Sequence, residues 1–186
     1  GLVTRLNLVV DLGNYCGIGH PELTLACLKL LEKMSSSSKI TAVWSGSNRQ
    51  VHRNKAIVAL EANGEHETIS RSFVSELITP LEAGREADSP AYITKIYILD
   101  FLYQCLQETP RKPTIAHLLL GFKCGIDSLS IDAKGAFASR TSLFHTLLRL
   151  LLEAPSGEAQ GMRKWLIAIK SGVMRIFHIL WSAPLS

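Results

Sequence analysis

Apolar residues along this chain recur at three- and four-residue spacing rather than in alternation, which is the period of an α-helix. Over 21–34 they fall at Leu23, Ala26, Cys27, Leu30, Leu31 and Met34, and a serine tract at 35–38 closes the run. Pro21 suits the first turn of that helix, where its missing N–H costs nothing. Further helices are predicted over 48–62, stopped by Asn63-Gly64, and over 66–83, with Pro80 near the end. Another is predicted over 89–107, where Ser89-Pro90 reads as an N-cap followed by proline at the first helical position. A short helix over 114–121, a leucine-rich one over 140–154 and a last one over 158–181, bent at Ser171-Gly172, complete the series. Upstream, 3–12 reads as a helix ended by a glycine-rich turn at 13–19, and 39–47 as a loop or short helical turn. Residues 122–139 show no period and read as a long loop. No segment reads as a convincing strand.

The width of the apolar faces sets the architecture. In the helix predicted over 89–107, Thr94, Asp100, Gln104 and Gln107 share one polar arc, apolar residues fill most of the remainder, and Lys95 is an outlier expected to snorkel. In the helix over 140–154, Ser142, His145, Thr146, Arg149 and Glu153 form a narrow polar stripe in a surround of Leu and Phe. A surface helix of a two-layer domain needs an apolar stripe of only about 100°. These helices need neighbours on two or three sides, as in a stacked α-solenoid or a compact bundle with buried central helices. Leu28 and Leu31 align with Leu99 and Leu102 at an offset of 71 residues, which corresponds to about two hairpins of the HEAT or armadillo kind.

Composition agrees with a packed helical body. Apolar residues make up 47% of the 186 and charged residues 19%, a balance opposite to that of disordered chains. The apolar excess suggests a slice of a longer chain whose neighbours cover part of its surface. The net charge of +4 is too mild by itself to indicate nucleic acid. It is unevenly placed: residues 109–186 carry 10 basic and 4 acidic side chains. The cysteines at 16, 27, 105 and 124 form no Cys-x-x-Cys pair and no zinc-spaced cluster; Cys27 and Cys105, inside apolar helical stretches, read as buried thiols, and the set points to a reducing compartment, cytosol or nucleus. No run approaches the roughly 18 apolar residues of a spanning helix.

Chemical motifs are weak. Gly13, Gly17 and Gly19 do not fit a dinucleotide fingerprint, and Ser36-Ser37-Ser38-Lys39 lacks the companion motifs of a Ser-x-x-Lys enzyme. The six histidines are scattered and read as solvated or capping residues, so no catalytic, cofactor-binding or metal-binding residue is assigned and the chain reads as a non-enzyme. Leu147, Leu150 and Leu151 make a Leu-x-x-Leu-Leu motif that reads as core. In 162–181, Lys164, Lys170, Ser171, Arg175 and His178 share one face, with Trp165, Leu166, Ile169, Val173, Ile176, Phe177, Leu180 and Trp181 on much of the rest. That pattern fits a terminal solenoid helix with a basic edge; its rival is a peripheral membrane-binding module.

Two series of residues carry a family resemblance. Gly17-Ile18-Gly19-His20-Pro21-Glu22-Leu23 leading into Leu28-Lys29-Leu30-Leu31 is one. Lys95-Ile96-Tyr97-Ile98-Leu99-Asp100-Phe101-Leu102 running on to Pro113 and then His117-Leu118-Leu119-Leu120-Gly121-Phe122 is the other. With the long loop and the helix opened by Arg140-Thr141-Ser142-Leu143-Phe144-His145, they resemble the largest inner-ring scaffold nucleoporins of the nuclear pore, in order and spacing over most of the chain; a paralogous large scaffold nucleoporin shares the pattern. The resemblance implies an all-α, HEAT/armadillo-like α-solenoid, residues 1–186 being one slice of a longer chain. It also implies a structural role at the nuclear envelope, holding adjacent inner-ring subunits and linker-nucleoporin segments, with no cofactor. It carries over no partner-binding residue. The alternatives are a solenoid transport receptor or cargo adaptor, and the membrane module through 162–181; a helical RNA-binding repeat is disfavoured by the modest charge.

Overall fold

The computed structural model describes residues 21–36, 54–62, 64–81, 89–108, 111–153 and 163–182. Among them are seven helices: α1 (Pro21–Ser36), α2 (Lys55–Ala62), α3 (Glu65–Ile78), α4 (Pro90–Glu108), α5 (Ile115–Leu120), α6 (Leu143–Leu152) and α7 (Arg163–Ser182). The expected helix over 3–12, the turn at 13–19, the loop at 39–47, the start of the helix expected from 48 and the first residues of the helix expected from 158 lie outside the described residues.

Several boundaries move for local reasons. The helix expected to run through Pro80 ends at Ile78, and Thr79 is extended at ψ 126°; a residue before proline is pushed out of the helical region. The leucine-rich helix starts at Leu143 rather than 140, because Arg140 takes φ +59° and Ser142 becomes the N-cap, accepting from His145 N. Ser89 does precede the first turn of α4, and its carbonyl accepts from Ile93 N at 3.1 Å. Its buried hydroxyl, however, has no hydrogen-bond partner among the described residues. Ser171-Gly172, where a bend is expected, lies inside an unbroken helical run from Arg163 to Ser182.

The segment 122–139 is not wholly without strand. β1 (Lys123–Cys124) pairs antiparallel with β2 (Leu129–Ser130), Lys123 opposite Ser130 and Cys124 opposite Leu129. Gly125 N closes the turn on Ser128 O at 2.8 Å. A two-residue ladder leaves no room for the alternation that marks a strand in sequence. Phe122 and Phe137 pin this loop to Phe144, the three ring centroids lying 5.1 to 5.9 Å apart.

The helices stand in two rows. α4 packs on α1 and on α7, and also on α3 and α5; α3 packs on α2, α5 and α6, and α6 on α7. Lys95, in the second turn of α4, reaches the last carbonyls of α3, and Phe101 meets Phe73 at 6.1 Å. Those paired positions run in opposite directions, so α3 and α4 form an antiparallel hairpin. The same holds for α6 and α7, through Lys170 with Leu151 O and Phe177 with Phe144. Along the row, α4 and α7 run parallel: Tyr92 meets Trp165 and Asp100 meets Arg175. Antiparallel hairpins stacked so that like helices line up is the arrangement of an α-solenoid, and it matches the all-α class expected from the pattern. Leu28 and Leu31 of α1 and Leu99 and Leu102 of α4 are all buried, so the 71-residue offset is one step along the row rather than two standard hairpins.

The core runs through the middle of both rows. Phe73, Ile98, Leu102, Cys105, Leu119 and Leu147 are wholly or almost wholly buried. In α1 the buried positions are Thr24, Cys27, Leu28 and Leu31, whereas Ala26 is exposed; the side chains of Leu23, Leu30 and Met34 lie outside the described set. Cys27, Cys105 and Cys124 are buried thiols, as burial statistics for cysteine anticipate.

Candidate functional site

Polar groups buried between the helices serve as fasteners. Lys95 is 2% exposed rather than snorkelling. Its ammonium donates to Leu77 O at 3.2 Å and to Glu76 O, so it caps two of the carbonyls that α3 leaves without intrahelical partners. Burial lowers the Lys95 pKa to about 8, partly offset by the nearby Glu76 carboxylate, whose own pKa burial raises. Lys170 does the same for α6, donating to Leu151 O at 3.3 Å and to Glu153 O. The solvated role expected for both lysines fails because a helix C-terminus is a better site for a cation than water when the stem crosses an apolar seam.

The histidines follow a similar logic. Thr114 precedes α5, and its backbone N–H donates to His117 Nδ1 at 2.9 Å. This is the reciprocal half of a capping box with His in place of Glu or Gln. His117 is 7% exposed, and burial lowers its pKa to about 4. A ring nitrogen that accepts a backbone N–H must be unprotonated, so geometry and burial agree on the neutral form. Ser142 and His145 repeat the spacing at the start of α6, with Ser142 Oγ and His145 Nδ1 2.8 Å apart. Burial, with Arg140 and then Arg149, lowers the His145 pKa. His66 Nδ1 lies 3.1 Å from Leu60 O. The capping role expected of these histidines is therefore observed for His117, at the start of α5, and for His66, at the end of α2, whereas the His145 ring meets only the Ser142 hydroxyl; Ser/Thr-x-x-His marks His117 and His145 in the sequence, but not His66.

The α4–α7 seam is the most chemically varied contact. Tyr92 and Trp165 meet edge-on at 4.9 Å. Arg175 lies over the Tyr103 ring at 4.1 Å and 3.6 Å from Asp100, a cation–π contact beside a solvent-screened ion pair. A Cβ at Gly172 would come within 3.1 Å of Leu99 Cδ1, so the glycine brings the two helices close. At the other side of α4, Glu108 approaches Glu32 of α1. Burial first, then Glu32, raises the Glu108 pKa to about 7, and its buried Oε2 has no hydrogen-bond partner among the described residues.

The face set out for a membrane helix is dismantled by this packing. Of the polar positions, Lys170 caps α6 and Arg175 sits on α4, while Lys164, Ser171 and His178 are exposed. Of the apolar ones, Ile169, Val173 and Ile176 are buried, and Trp165, Leu166, Phe177 and Leu180 are half-buried. Trp181 alone of that set is exposed, at 86%. Among the described residues no helix is long and apolar enough to cross a membrane. In α6, Leu147 is buried and Leu150 and Leu151 are half-buried against the core, so the Leu-x-x-Leu-Leu motif packs inward as expected. The polar stripe of that helix is partly interior, with Ser142 and Thr146 buried. No three His, Cys, Asp or Glu side chains among the described residues gather where they could hold a metal ion.

The chain matches, over residues 1–186, the family described as nuclear pore complex scaffold, nucleoporins 186/192/205. It is 54% identical over 188 residues to nucleoporin NUP192 of Chaetomium thermophilum, a match that covers 100% of this chain and 11% of that relative. The chain thus spans about one ninth of the length of the relative it matches. The match over every residue, together with the stacked helical rows, places the chain in the family of scaffold nucleoporins 186/192/205.

Proposed function

We propose that the chain is a non-catalytic slice of the nuclear pore complex scaffold, in its inner ring at the nuclear envelope, where the whole protein holds adjacent nucleoporins and linker segments. The observation that carries this reading is the family match over the full length. The structure supports it physically: in both hairpins a lysine of the second helix, Lys95 or Lys170, is fastened to the last carbonyls of the first, within stacked helical rows of the solenoid kind. Residues 1–186 act as one continuous solenoid segment of the longer chain.

The test uses purified linker-nucleoporin segments and the purified full-length protein, alongside the span 1–186 alone. Capture by the span locates a partner site here. Capture only by the longer chain makes this slice a spacer between sites. Failure of both contradicts a scaffold role and favours the transport-receptor reading.

A further inference from the structure

The two hairpins α3–α4 and α6–α7 carry the same fastener, a lysine from the second helix on the last carbonyls of the first. Lys95 and Lys170 can therefore be used to superpose them, with an offset of 75 residues. Under that offset Tyr92, Leu99 and Leu106 of α4 become Ile167, Met174 and Trp181 of α7. Tyr92 and Leu99 are the positions that α4 presents to α7, against Trp165 and Gly172. Their equivalents on α7 face away from α4, and they are exposed: Ile167 at 57%, Met174 at 53% and Trp181 at 86%. They stand seven residues apart, in one stripe along the helix. Large apolar groups in such a row on an otherwise packed helix mark a contact surface rather than ordinary surface scatter.

We infer that Ile167, Met174 and Trp181 form the seat of the next helix in the row, contributed by the longer polypeptide and running parallel to α7. Three observations select that occupant. The stripe lies at the position that α4 uses to receive α7. Its relative is about nine times longer than the matched span, so chain is at hand to supply the helix. Successive row helices begin at Pro21, Pro90 and Arg163, so the occupant begins about 70 residues beyond Arg163, one repeat further along the row. It carries a small residue opposite Met174, as Gly172 does opposite Leu99. The inference stands apart from the scaffold role, since a solenoid receptor would cover the same stripe.

The experiment is hydroxyl-radical footprinting of the isolated full-length protein, monomeric and dilute, with the same chain in denaturant as reference. Met174 and Trp181 are expected to react at least about tenfold more slowly in the folded monomer than in the reference, as buried sites do. Reaction close to the reference rate would overturn the inference. Protection that appears only on self-association, or only when another nucleoporin is added, would also overturn it, by giving the stripe a different occupant. As a second reading, Met174→Lys in the full-length protein lowers the melting temperature if the stripe is covered. An unchanged melting temperature contradicts it.

Discussion

His117 can hold the start of α5 only while its ring is neutral, because Nδ1 accepts the Thr114 N–H. Its folded pKa of about 4 lies below the ordinary 6.5. The unfolded chain therefore takes up a proton first as pH falls, so this group's contribution is complete above 6.5 and lost towards 4. At most about 3 kcal/mol is involved. Glu108 works in the opposite sense: its folded pKa of about 7 lies above 4.5, so stability is present below 4.5 and lost as pH rises towards 7. The two dependences partly cancel. Glu108→Gln is expected to stabilise the protein by about 1–2 kcal/mol above pH 7, since it removes a poorly solvated charge and its repulsion by Glu32. It should also steepen the loss of stability in acid that His117 causes. Chemical denaturation of the variant across this pH range checks both effects, and NMR titration of the His117 ring checks its pKa directly. At Gly121, φ is +112° and an added Cβ would lie 2.9 Å from Ser142 Cβ. Gly121→Ala should therefore cost about 2–3 kcal/mol in an equilibrium unfolding measurement.

At the scale of elements, α4 is the helix on which the others depend, because α1, α3, α5 and α7 all pack on it. The extreme width of its apolar face is the physical reason, and that width was visible in the residues. The burial of Thr94 and Lys95 was not. Periodicity assigns polar residues to water, whereas a helix flanked on several sides has no wholly solvated face and must place some polar groups against a neighbour's open carbonyls. The α4–α7 seam gives a direct check. Gly172→Leu inserts a side chain where Leu99 already sits, and overpacking of this kind costs about 2–3 kcal/mol. A thermal melt should show the loss, and Leu99→Ala in the same chain should recover part of it. Full additivity of the two changes would contradict direct contact.

At the scale of the whole molecule, the helical class and the order of segments were legible from the three-and-four spacing and from the punctuation at Asn63-Gly64, Ser89-Pro90 and Gly121. The paired fasteners Lys95 and Lys170 were not, because each acts on carbonyls 17 to 19 residues away and leaves no local pattern. The short ladder at 123–130 was hidden for lack of length. The charge asymmetry towards the end of the chain was legible but misleading on its own: Lys170 and Arg175 serve neighbouring helices rather than a membrane. The central claim is that this solenoid slice belongs to a fixed scaffold rather than a mobile carrier. Photobleaching of the fluorescently tagged full-length protein at the nuclear rim tests it most directly. A fixed scaffold gives a rim signal that recovers over hours, with no fast exchanging fraction. Recovery within seconds, with signal moving between nucleoplasm and cytoplasm, would contradict it.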